Sequence, residues 1–110
     1  MIDLSTDKVL DELFTMNFSI AADLGLYNIT PRLQRYLGDV EDGQKLFDVF
    51  RFHRPGEVSS LKDLASIGAS LVLLLSNSGE HGLRGQLLPL SVDGGYRFVG
   101  VPWLAWINAN

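Results

Sequence analysis

The chain has no cysteine. Disulfides, thiolate metal sites, iron–sulfur clusters and thiol catalysis are therefore excluded, as is a flavin photosensor that works through a thiol adduct. Histidine is scarce. His53 and His81 are the only two, and no third ligand stands at a spacing that would complete a metal site with them. Long apolar runs are missing. Runs such as Leu71 to Leu75 fall well short of the ~18–20 residues needed to cross a bilayer. Basic charge is in short supply: nine Lys and Arg against thirteen Asp and Glu give a net charge of −4 and an isoelectric point near 4.9. The cations are scattered from Lys8 to Arg97. A nucleic-acid surface needs a basic face, so neither nucleic acid nor membrane is an expected partner. Residues 2–14 carry Asp3, Asp7, Lys8, Asp11 and Glu12, which does not fit a secretory leader. The expected location is the cytoplasm. Repeats, low-complexity segments and interdomain linkers are also absent.

What is present reads as one domain. A chain of 110 residues with 46% hydrophobic residues buries roughly two-thirds of its unfolded surface and builds one core. The most informative stretch is Leu83 to Leu104, LRGQLLPL-SVDGG-YRFVGVPWL. Two strand-like runs flank Asp93, Gly94 and Gly95, and glycine accepts the positive φ that tight hairpin turns demand.

Upstream, Leu4 to about Met16 reads as a helix. Val9, Leu10, Leu13 and Phe14 form one stripe at 3.6-residue spacing, with Lys8, Asp11 and Glu12 mainly off it. Phe18 and Ile20 alternate with Asn17 and Ser19, the period of a half-buried strand, and Asp23-Leu24-Gly25 supplies a turn into Leu26, Tyr27 and Ile29. Thr30 and Pro31 open a helix that ends at Gly38. Asp39 to Gly43 is an acidic loop. Leu46, Phe47 and Phe50 mark a short helical turn, broken after Arg54 by Pro55 and Gly56. Ser60, with Asp63 three residues on, caps a helix that stops near Gly68. Leu71 to Leu75 suits a strand buried on both faces. Leu83–Leu90 and Tyr96–Val101 complete a meander. Two strands, a helical crossover and three further strands is the arrangement of a PAS domain. The expected fold is therefore α+β, a five-stranded antiparallel sheet with short helices on one face. The expected division is an amphipathic helix over residues 1–16 and a PAS-like domain over 17–110.

The segments LFDVFRFHRP, SSLKDLASIG, SLVLLLS, LRGQLLPL and YRFVGVPWL resemble the haem-NO-binding-associated domain. That is the PAS-like module beside the haem-nitric-oxide sensor domain in soluble guanylate cyclases and bacterial signalling histidine kinases. The likeness runs from about Asn17 to Leu104. Its most specific piece is Leu83-Arg84-Gly85-Gln86-Leu87-Leu88, similar to the family's leucine-basic-glycine-glutamine-apolar strand. The resemblance implies a dimerisation and signal-relay domain rather than an enzyme. It also implies a like or paralogous subunit as partner, a haem-NO sensor upstream and an output domain downstream.

The side chains themselves suggest little chemistry. His53 on a helix is a candidate axial haem ligand, but a partly exposed structural histidine fits its Phe-His-Arg-Pro setting better. His81 lies in a Gly-Glu-His-Gly turn and is expected to face solvent. Ser76, Ser78, Glu80 and His81 share one turn with no nucleophile elbow. Asp39, Glu41 and Asp42 lack the spacing of a calcium loop. Phe47, Phe50, Leu73 and Leu75 are large enough to fill the space a ligand would need. No catalytic residue, metal or cofactor is expected. The expected contact residues between two copies are Leu10, Leu13, Phe14 and Phe18, with Trp103 and Trp106, since aromatic residues anchor interfaces. The alternative is a PAS sensor holding its own small ligand.

Overall fold

The computed structural model describes residues 15–38, 40–90 and 94–109, without the side chains of 107–109. The stripe Val9, Leu10, Leu13 and Phe14 lies outside the described residues. Six strands form one curled antiparallel sheet: β1 (Met16–Ile20), β2 (Leu26–Tyr27), β3 (Phe50–Arg54), β4 (Val72–Ser76), β5 (Gly82–Pro89) and β6 (Tyr96–Pro102). Their order across the sheet is β2-β1-β6-β5-β4-β3. Among the described residues four short helices accompany them: α1 (Pro31–Leu37), α2 (Leu46–Val49), α3 (Leu61–Ile67) and α4 (Leu104–Ala109).

The strand count corrects the five expected. The added strand is β3, over residues whose sequence pattern predicts a helical turn at Phe50 and a helix at His53. Phe50 and Phe52 are buried while Arg51 and His53 are exposed, a period of two that only a strand satisfies. β3 pairs antiparallel with β4, and the register shifts between Phe52 and Arg54.

One face of the sheet holds the core. Leu33 of α1, Leu46 of α2, and Leu64 and Ile67 of α3 join Phe18, Ile20, Leu26, Phe50, Phe52, Val72, Leu74, Leu83, Leu87 and Phe98 in a single buried cluster. Phe18 stands at its centre. Its ring stacks on Phe50 (centroids 5.4 Å apart) and on Phe98 (5.1 Å). The alternation of strand side chains sends Arg51, Leu73, Leu75, Arg84 and Val99 to the opposite, outer face. Arg51 lies across from Leu75, and Leu73 across from Arg84.

The long β5–β6 pairing runs from Leu83↔Pro102 to Pro89↔Tyr96. At its middle Gly85 lies opposite Gly100. A Cβ on Gly85 would strike the Val99 carbonyl oxygen and come within 2.9 Å of the Phe98 ring, and one on Gly100 would lie 2.6 Å from the same ring. The two missing side chains give the Phe98 ring its place.

Helix ends follow local chemistry. The Ser60 hydroxyl accepts from the Asp63 backbone N–H (3.2 Å), and the Asp63 carboxylate accepts from the Ser59 N–H (2.9 Å), closing the first turn of α3 from both sides. Thr30 precedes Pro31 as expected but makes no side-chain cap. Its hydroxyl donates to the Thr15 carbonyl (2.8 Å) and accepts from the Asn17 N–H (3.2 Å). It therefore fastens the start of β1 rather than the start of α1.

Candidate functional site

The chain leaves the sheet through Pro102, and the following residues turn back over its outer face. Trp103 donates its backbone N–H to the Gly82 carbonyl (2.9 Å). The Trp106 indole Nε1 donates to the Gly79 carbonyl (3.1 Å). The two indoles stack at 5.7 Å between centroids, and the His53 ring sits 5.3 Å from Trp103 and 6.2 Å from Trp106. Gly82 makes this close approach possible, because a Cβ there would fall 3.1 Å from Trp106 and 3.2 Å from Trp103. The result is an aromatic corner at one end of the outer face. Trp103 and Trp106 are half-buried, and the neighbouring Leu104 is 65% exposed, the most exposed large hydrophobic side chain among the described residues.

The same turn is held from the other side. The Tyr36 hydroxyl, brought by α1, donates to the Gly82 carbonyl (3.2 Å) and accepts from the Gly82 N–H (3.3 Å). Burial raises the Tyr36 phenol above its ordinary range near 10.0, partly opposed by its bond to Gly82. The His81 ring lies 4.7 Å from the Tyr36 ring. His81 is thus half-buried against α1, where the sequence had placed it in solvent. The β4–β5 turn is clamped between Tyr36 on one side and the tryptophans on the other.

The remaining polar groups of that turn are occupied locally. Ser76 Oγ and Ser78 Oγ share a hydrogen bond (3.0 Å), Ser76 Oγ accepts from the His81 N–H (3.1 Å), and Ser78 Oγ accepts from the Glu80 N–H (3.2 Å). These hydroxyls shape the turn. Among the described residues no group of three His, Asp or Glu is placed to hold a metal ion, and no helix is long and apolar enough to cross a membrane.

A groove of about 360 Å³ opens between α3 and the far end of β5 and β6. Leu64 and Ala65 form one wall, Leu87, Leu88 and Tyr96 the other. The Gln86 side-chain amide at its rim donates to the Ala69 carbonyl (3.1 Å).

Of the residues expected to join two copies, Trp103 and Trp106 come together at the corner. Phe18 does not: it is 1% exposed and enclosed between two rings, so it serves the core and offers nothing to a partner. Phe18 falls on the buried phase of the β1 alternation, together with Met16 and Ile20. Leu10, Leu13 and Phe14 lie outside the described residues. Sequence reasoning missed His53 as a member of the corner. The signal was the period-two run Phe50-Arg51-Phe52-His53, which puts His53 on the outer face. Comparison of the chain with family models and with curated proteins finds no match.

Proposed function

We propose that this chain is a non-catalytic dimerisation and signal-relay domain, of the kind that sits between a haem-NO sensor and a kinase or cyclase output in cytoplasmic signalling proteins. The observation that carries this reading is the aromatic corner. Trp103, Leu104 and Trp106 gather apolar surface where the chain departs the sheet, and contiguous apolar surface of this kind marks contact sites. The order of elements supports the PAS-like part of the reading. β1 and β2 pair, the helices cross over, and the meander β4-β5-β6 returns to lie beside β1, with β3 as an additional edge strand.

The mechanism follows from two-fold symmetry. The outer sheet face, the corner, and the leading stretch with Leu10, Leu13 and Phe14 form a self-complementary patch. A stable pair needs about 1,600 Å² buried in total. An upstream sensor that changes how the two copies pack would turn α4 of each copy, and α4 carries Trp106 and the exposed Leu104 of the corner. Sedimentation velocity at tens of micromolar tests this. The wild-type chain is expected to sediment as a dimer. Leu104→Glu, which places a carboxylate on an already exposed site, is expected to shift it to monomer with an unchanged circular dichroism spectrum. A monomeric wild-type chain would overturn the reading.

The groove beside α3 favours a second reading, a sensor that holds a small apolar ligand. Its volume lies at the small end of ligand pockets, and its walls are apolar. Native mass spectrometry of the purified chain, with an absorbance scan through the visible, would reveal such a ligand as added mass or colour.

A further inference from the structure

The six strands contain four arginines, Arg51, Arg54, Arg84 and Arg97, and not one carboxylate. On the outer face Arg51 and Arg84 flank the two outward leucines of β4. Neither makes an ion pair with a described residue. Between them Leu73 and Leu75 of β4 are only 7% and 2% exposed, and Val99 of β6, on the far side of Arg84, is 4% exposed. α1, α2 and α3 all contribute to the core on the opposite side, and the aromatic corner lies at the Gly82 end of this face. The stretch before Thr15 has the complementary character. It carries Asp3, Asp7, Asp11 and Glu12 against Lys8, together with Val9, Leu10, Leu13 and Phe14. At helical spacing Leu10 and Phe14 fall in one row and Asp7 and Asp11 in the row beside it. Asp3 to Asp11 would then span about 12 Å. Arg51 and Arg84, two strands apart and one pleat step along, also stand about 12 Å apart.

We infer that residues 3–14 lie across the outer sheet face of their own chain, Leu10 and Phe14 against Leu73 and Val99 and the acidic row among Arg51 and Arg84. Tethering favours this occupant over a separate molecule, because the stretch is joined directly to Thr15, which Thr30 holds at the entry to β1. The inference goes beyond association of two copies and does not depend on it. Where copies do pair, it narrows the patch proposed above: the outer sheet face, Leu10 and Phe14 are taken up within one chain, and Val9, Leu13 and the aromatic corner are left to meet the partner.

The absence of native cysteine allows a direct test. Two full-length double variants, Asp7→Cys with Arg84→Cys and Asp11→Cys with Arg84→Cys, are oxidised mildly as mixtures of isotopically light and heavy protein. Mass spectrometry of the cross-linked peptides then tells bonds within one chain from bonds between chains. A disulfide within one chain in at least one of the pairs is the expected result. Bonds only between chains would hand the face to a second copy, and no bond in either pair would leave it uncovered; both overturn the inference. Charge reversal gives a second readout that needs no cross-link. Arg84→Glu and Asp11→Lys should each lower the urea midpoint, and the two together should recover part of the loss. Simple additivity of the two losses would overturn the proposal. Sedimentation of the same samples reports on pairing separately, so either idea can fail without the other.

Discussion

Gly85 and Gly100 show how much rests on single atoms that are missing. Each faces the other across β5 and β6, and the Phe98 ring occupies the space their side chains would take. Gly85→Ala should therefore destabilise the fold by about 1–3 kcal/mol in urea denaturation, as overpacked sites do. Phe18 presents the opposite case. Truncating a fully buried ring stacked on both sides should cost about 3–5 kcal/mol, so Phe18→Ala is expected to lower the denaturation midpoint sharply. An unchanged midpoint would remove Phe18 from the centre of the core. The sequence showed that Gly85 belongs to a distinctive strand motif. It could not show why, because the reason lies in a ring thirteen positions away that reaches glycine only through strand pairing.

Elements with a local cause were legible, and those set by tertiary context were not. α3 is the clearest success: Ser60, Asp63 and Gly68 mark its ends, and the structure uses Ser60 and Asp63 in the expected first turn. The backbone N–H of Ser59, more than the hydroxyls of Ser60 and Ser59, holds the Asp63 carboxyl below its ordinary value of 3.8. The sign follows from linkage. A carboxyl depressed in the folded state stabilises α3 fully above 3.8, and that contribution is lost as pH falls through the lower folded value. Carbon-detected NMR titration should place Asp63 below the same group in the unfolded chain, and Ser59→Pro, which removes the main donor, should return it toward 3.8. Equal titration in both variants would contradict the cap. β3 was the element misread. Phe47 and Phe50 also fit a helical spacing, and the strand wins because β4 offers an unpaired neighbour to bind it. The corner illustrates the same limit. Two tryptophans near the chain end were visible in the sequence, but their histidine neighbour sits some fifty positions earlier and comes to them only when β3 pairs with β4.

At the scale of the whole molecule, the coarse α+β plan with an antiparallel sheet could be read directly from the order of the elements, whereas the helices expected on one face divide, α1, α2 and α3 joining the core and α4 turning over the outer side. The sixth strand could not, and it alters how the sheet meets its surroundings. β3 and β2 are the two margins. β2 is two residues long. β3 carries Arg51, His53 and Arg54, loses its regular register after Phe52, and runs into Pro55. Short, kinked and cationic margins deny an incoming chain the ladder of free amides and carbonyls it would need to extend the sheet. Neighbouring molecules are thereby kept from adding strand upon strand into fibrils, so the folded chain can be crowded without templating its own aggregation.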